Sequence, residues 1–128
     1  MSDGPKGELA IRTIAMPENT NPDGHIFGGW VISQMDLAGL YMARSYTDGR
    51  CVTVAIDSMI FISPVHVGDF VCCYCSIEKI GRTSLHIRIE AWALSSRATA
   101  NRRKVTEGVF VFVAVDENQK PQPLIKSE

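Results

Sequence analysis

The chain has 128 residues, 45% of them hydrophobic, with 13 basic and 14 acidic side chains and a formal net charge of -1. That is the size of one domain with a real core, and the missing basic excess argues against non-specific nucleic-acid binding. No apolar run approaches the ~20 residues that a membrane-spanning helix needs, and the segment from Met1 to Lys6 has no signal-peptide pattern, so no membrane contact and a cytoplasmic location are expected.

In chain order, Glu8 to Ala15 reads as a short strand and Met16 to Gly24 as a loop rich in turn formers. Trp30 to Ser45 reads as one helix, apolar nearly all round, which predicts a buried rather than a half-exposed helix. Thr47-Asp48-Gly49 closes it, with glycine suited to a left-handed cap. The period then changes to two. Val52 to Ile62 is a strand ending at Ser63-Pro64, and Val65 to Asp69 is a turn. Phe70 to Ile80 is a long strand, turned back by Gly81-Arg82-Thr83. Leu85, Ile87, Ile89 and Ala91 alternate with His86, Arg88, Glu90 and Trp92, the mark of a half-buried antiparallel strand. Arg97 to Lys104 reads as a basic connection and Thr106 to Val115 as the last strand. Val109 to Val113 is apolar on both faces, so a second subunit is expected to cover it. The tail from Asp116, with Pro121 and Pro123, is expected to be loosely held. The order predicts an α+β fold in which one long helix packs on one face of a five-stranded antiparallel sheet. A single domain over residues 1–128 is expected, with its core at about 8–116 and the tail at about 117–128.

Asp36 is the residue most suggestive of chemistry. The positions one helical turn away, Ile32, Ser33, Gly39 and Leu40, carry no charge. A carboxylate on such a face is partly desolvated, which raises its pKa and suits acid/base work. The preceding turn, Gly24 to Gly29, would present free backbone N–H groups and the positive end of the helix dipole. Those glycines also have a plain reading, as a tight turn into the helix. Asp36 could likewise be a buried aspartate that caps a loop.

Other signals are weaker. Of the four cysteines, Cys72, Cys73 and Cys75 share one strand and lack a second ligand pair, so they read as buried reduced thiols and not as a zinc site. No Gly-x-Ser-x-Gly elbow, P-loop or dinucleotide fingerprint is present. His66 and His86 read as surface or strand-edge side chains, whereas His25 lies in the glycine turn. Arg82, Arg97, Arg102, Arg103 and Lys104 form either a solvated face or, being in loops, a phosphate-binding set.

The run from Asn21 to Trp30, followed by Ser33-Gln34-Met35-Asp36, resembles the hotdog-fold acyl-CoA thioesterases, and most of all the bacterial YciA-type branch related to brain-type acyl-CoA hydrolase. The likeness continues through Val52-Thr53-Val54, Phe61 to Val65, Val67-Gly68-Asp69, Gly81 to Ser84, Thr106-Glu107-Gly108 and Val113 to Asp116. The resemblance implies a hotdog fold: a long central helix wrapped by an antiparallel sheet. It implies hydrolysis of an acyl-CoA with no separate cofactor, coenzyme A being part of substrate and product. Asp36 is then the general base or nucleophile, with Gly28 and Gly29 as backbone oxyanion donors and Asn21 and His25 beside them. Position 25 usually carries Asn or Asp in the family and lies near the aspartate of the other protomer, so His25 is a departure. Coenzyme A contacts fall to Arg82, Thr83, Ser84, Arg102, Arg103 and Lys104. Homodimers joining their sheets edge to edge, with shared sites at the interface, assemble further into trimers of dimers. The alternative is a non-catalytic acyl-CoA-binding module on the same fold. A hydratase pairing His25 with Asp36 is a third option.

Overall fold

The computed structural model describes residues 4–95 and 101–126. Its elements are β1 (Glu8–Ile14), a single 3-10 turn (Pro17–Asn19), α1 (Gly28–Tyr46), β2 (Thr47–Asp48), β3 (Arg50–Phe61), β4 (Phe70–Ile80), β5 (Ser84–Leu94), β6 (Arg102–Val115) and β7 (Ile125–Lys126). β1, β4, β5, β6 and β3 form one five-stranded sheet in that order, antiparallel throughout. The expected helix and five strands are all present. Among the described residues no helix is long and apolar enough to cross a membrane.

The period-two pattern of β5 decides which way the sheet faces. Leu85, Ile87, Ile89, Ala91 and Ala93 are fully buried against the helix side, where Val71 and Cys73 of β4 and Phe110 and Phe112 of β6 join them. The buried face of α1 is Val31, Met35, Ala38, Gly39, Met42 and Ala43, a helical repeat of three and four. Gly39 marks the closest approach: a Cβ there would lie 2.6 Å from the Phe112 ring and 2.8 Å from Ile89. The helix is therefore not enclosed all round, as its composition suggested. Leu37 and Tyr41, one turn apart, remain more than half exposed on its far side.

Surface apolarity also sits elsewhere than expected. Val109, Val111 and Val113 on the outer face of β6 are half-buried. The exposed apolar row is on β3, where Val54, Ile56, Ile60 and Phe61 are 41% to 74% exposed. Among the described residues β3 pairs only with β6, so its other edge is open there.

Two boundaries differ. Thr47 and Asp48 leave the helix to pair with Lys126 and Ile125, so Gly49, at φ +93°, serves the turn into β3 and not a helix cap. The tail, expected to be loosely held, returns to the fold: Gln122 N–H donates to Ala114 O, Leu124 N–H to Arg82 O, and Ile125 N–H to Thr47 Oγ1.

Candidate active site

The loop before the helix is built by its turn formers. Asn21 Oδ1 accepts the N–H groups of Asp23 (2.9 Å) and His25 (3.1 Å), an Asx turn that lets Gly24 take φ +84°. The Nδ2 group of Asn21 has no partner among the described residues. Ile26 N–H donates to Val65 O at 3.0 Å, which ties this loop to the β3–β4 connection. Across the same seam the exposed rings of His25 and His66 lie 5.4 Å apart.

The helix then begins without a capping side chain, Phe27 standing at the N-cap. Trp30 and Val31 N–H both donate to Phe27 O. The N–H groups of Gly28 and Gly29 have no partner among the described residues, as expected for the first amides of a helix. A Cβ on Gly29 would meet nothing within 4 Å, whereas one on Gly28 would sit 3.3 Å from the Phe61 ring. Beside Gly28 opens a cleft of about 380 Å³ with an apolar wall that includes Ile26, Val31, Phe61, Ile62, Val65 and Val105.

Asp36 is half-buried on α1, and its Oδ1 accepts a 2.6 Å hydrogen bond from Thr53 Oγ1 of β3. The sequence reading did not single out Thr53 as a partner. A threonine inside a β-branched strand is ordinary, and the pairing spans 17 positions that only the fold brings together. From Gly28 to Asp36 the helix rises about 12 Å at roughly 1.5 Å per residue. A reacting carbonyl must lie ~3 Å from both donor and base, so a single protomer does not bring these parts to one reacting atom.

The expected basic set divides. Arg82, Thr83 and Ser84 lie at the β4–β5 turn, where Arg82 is exposed. Arg102, Arg103 and Lys104 open β6 as strand residues and not as a loop, and Arg102 pairs with Leu94 at the far end of β5. Ten steps along β5 put the two groups ~34 Å apart. Arg103 is already engaged: its Nη2 lies 2.6 Å from buried Asp69 Oδ2 and donates to Pro64 O at 3.0 Å. Lys104 pairs with Glu107, and Arg88 joins Glu107 to the buried Glu90. These bonds hold the Glu107 carboxyl below its ordinary value, the hydrogen bond from Lys104 first and that from Arg88 second. Arg97 lies outside the described residues.

All four cysteines are free. Burial pushes the Cys73 and Cys75 thiols up to about 12, so they behave as core side chains.

Comparison with known proteins agrees with this fold. The family model of the thioesterase superfamily matches residues 23–100, a span that holds the glycine turn, the helix and most of the sheet. The acyl-CoA thioester hydrolase YciA of Salmonella typhimurium is 49% identical over 126 residues, covering 97% of this chain and 95% of the relative. A hexameric thioesterase from Yersinia pestis superposes with a TM-score of 0.89 at 50% identity, covering 94% of this chain and 98% of the other. A hexameric broad-specificity acyl-coenzyme A thioesterase gives a TM-score of 0.88 at 48% identity, covering 94% and 83%. With its central helix, its five-stranded sheet and a relative of that identity over nearly its whole length, the chain belongs to the thioesterase superfamily of hotdog-fold proteins, in the YciA-type branch.

Proposed function

We propose that this protein hydrolyses acyl-CoA thioesters to the free carboxylic acid and coenzyme A, at sites that each take Asp36 from one protomer and the Asn21–Gly29 loop from its partner. The observation that carries this reading is the separation, on one helix, of two free amides from a hydrogen-bonded carboxylate. These are the parts of a thioesterase, placed too far apart to serve one carbonyl within a chain. The open edge of β3 and the exposed Leu37 and Tyr41 supply the surface over which two protomers would join. The hexameric state of the relatives then extends to this chain as a trimer of dimers.

In the reaction, water attacks the thioester carbonyl carbon while Asp36 takes its proton. Negative charge grows on the carbonyl oxygen and is met by the N–H groups of Gly28 and Gly29, each such donor typically contributing about 3 kcal/mol. The C–S bond then breaks, its electron pair leaves with the coenzyme A sulfur, and the proton held by Asp36 is released to the thiolate or to solvent. Thr53 fixes the carboxylate by donating to one oxygen, which leaves the other for water. Asn21 Nδ2 and His25 are the polar groups that the partner loop adds beside that water. A nucleophilic route through a mixed anhydride uses the same carboxylate; single turnover in heavy-oxygen water, followed by mass analysis of the Asp36 peptide, separates the two.

Arg103 and Lys104 already hold carboxylates, so we assign the coenzyme A phosphates chiefly to Arg82, with Thr83 and Ser84, and to Arg102. The ~34 Å between the two ends of β5 means that one bound nucleotide draws on one end of a given protomer. Coenzyme A enters as part of the substrate, and the chemistry described calls on no separate cofactor. Four free thiols suit a reducing compartment, and we place the protein in the cytoplasm.

The test is thiol release from a panel of acyl-CoAs. Turnover with wild type and its loss in Asp36→Asn support the assignment. Binding of acyl-CoA without thiol release would favour a non-catalytic binding module.

A further inference from the structure

The cleft beside Gly28 is not needed for the chemistry above, yet it opens directly onto it. Gly28 contributes both a free amide and part of the cleft wall. The rest of the wall is apolar apart from Ser63, whose hydroxyl already donates to Lys104 O. Ile26, Val31, Val65 and Val105 are at most 5% exposed, so this wall is fixed by the core. Among its large apolar side chains Phe61 and Ile62 are the exceptions, at 43% and 63% exposure. Of these two it is the Phe61 ring that stands against Gly28, at 3.3 Å from where a Cβ would be. A thioester whose carbonyl oxygen met the Gly28 amide would have its acyl chain beside these side chains. An apolar, water-excluding wall favours an alkyl chain over the polar pantetheine arm.

We propose that this cleft holds the acyl chain and that Phe61 is the residue that sets the length accepted. The proposal rests on the thioesterase reading. A volume of about 380 Å³ lies near the lower end of ligand pockets, ~300–1,000 Å³, so the cleft suits short and medium acyl chains over long ones. Phe61 closes the cleft at the helix start. Removing its ring lengthens the cavity, and a larger ring shortens it.

The experiment is kcat/KM for acetyl-, butyryl-, octanoyl-, dodecanoyl- and palmitoyl-CoA with wild type, Phe61→Ala, Phe61→Leu and Phe61→Trp, each checked for its melting temperature and oligomeric state. Wild type is expected to peak at or below the medium lengths. Phe61→Ala should raise the ratio of dodecanoyl to butyryl turnover by about tenfold, the scale on which one or two methylenes are discriminated. Phe61→Leu should shift the ratio less and Phe61→Trp the opposite way. If Phe61→Ala loses its fold, Phe61→Leu and Phe61→Trp still read the shift. Folded variants that scale every chain length by one common factor would overturn the role of Phe61 and of the cleft while leaving the thioesterase standing. No thiol release from any ester by wild type would overturn the enzymatic reading, and the chain-length role with it.

Discussion

Asp36 and Thr53 form the contact on which the proposed chemistry turns. Asp36→Asn keeps the shape and removes the base, so kcat should fall by at least about 10²-fold, within the range that general bases typically supply, with the melting temperature little changed. Near-wild-type turnover in that variant would remove Asp36 from the mechanism. Thr53→Val deletes a hydrogen bond to a charged oxygen, typically about 1.5–3 kcal/mol, and should lower kcat tenfold or more while KM moves little. Cysteine chemistry follows from burial. Folded thiols held up to about 12, against 9.0 in an open chain, contribute stability that is fully present below pH 9.0 and lost as pH rises toward 12. Native protein at pH 8 should therefore leave Cys73 and Cys75 unlabelled by iodoacetamide, and unfolded protein should label both. Labelling of either at equal rates in the two states would contradict their placement in the core. The carboxyl of Glu107 has the opposite sign: depressed from 4.5, it contributes stability present above that value and lost as pH falls through its lower folded value.

At the scale of elements, the helix and β6 meet at Gly39. Alanine is the better helix former by about 1 kcal/mol, so propensity alone favours Gly39→Ala. Packing opposes it, because the added methyl would stand 2.6 Å from Phe112 and 2.8 Å from Ile89. Overpacking of this kind costs about 1–3 kcal/mol and should win, giving a lower melting temperature by calorimetry; a higher one would show that the helix can lift off the sheet. The open edge of β3 is the other exposed element. Ile56→Lys places a charge on that edge and should shift the protein toward monomer in sedimentation, with activity falling in parallel. The helix was legible in the sequence as an element, but its surroundings were not. Its extent was legible from Trp30 to Ser45 within two residues, because apolar spacing and a glycine turn bound it. Its burial was misread, because Leu37 and Tyr41 are apolar without being covered in one chain.

Over the whole molecule, the proposed site is a property of two chains, because its parts are spread along one helix. Mixing Asp36→Asn protomers with Asn21→Ala protomers, each weak alone, should restore turnover after subunit exchange, because a mixed dimer assembles one intact site from the unmutated residues. A mixture no more active than the sum of its parts would place the site within a single protomer.

The order of elements, the inward face of β5 and the family likeness around Asn21 to Asp36 were all decided by the sequence itself, because periodicity and turn formers are local signals. The partners of side chains were not. Arg103 and Lys104 looked like free phosphate ligands in a basic stretch, yet β6 carries them beside Asp69 and Glu107. Thr53 and Phe61 looked like ordinary strand residues until the fold set one against Asp36 and the other against Gly28. Those contacts join positions far apart in the chain, and their existence depends on strand register and on where the helix crosses the sheet. Both are fixed by packing the whole core at once, and no short stretch of sequence encodes them.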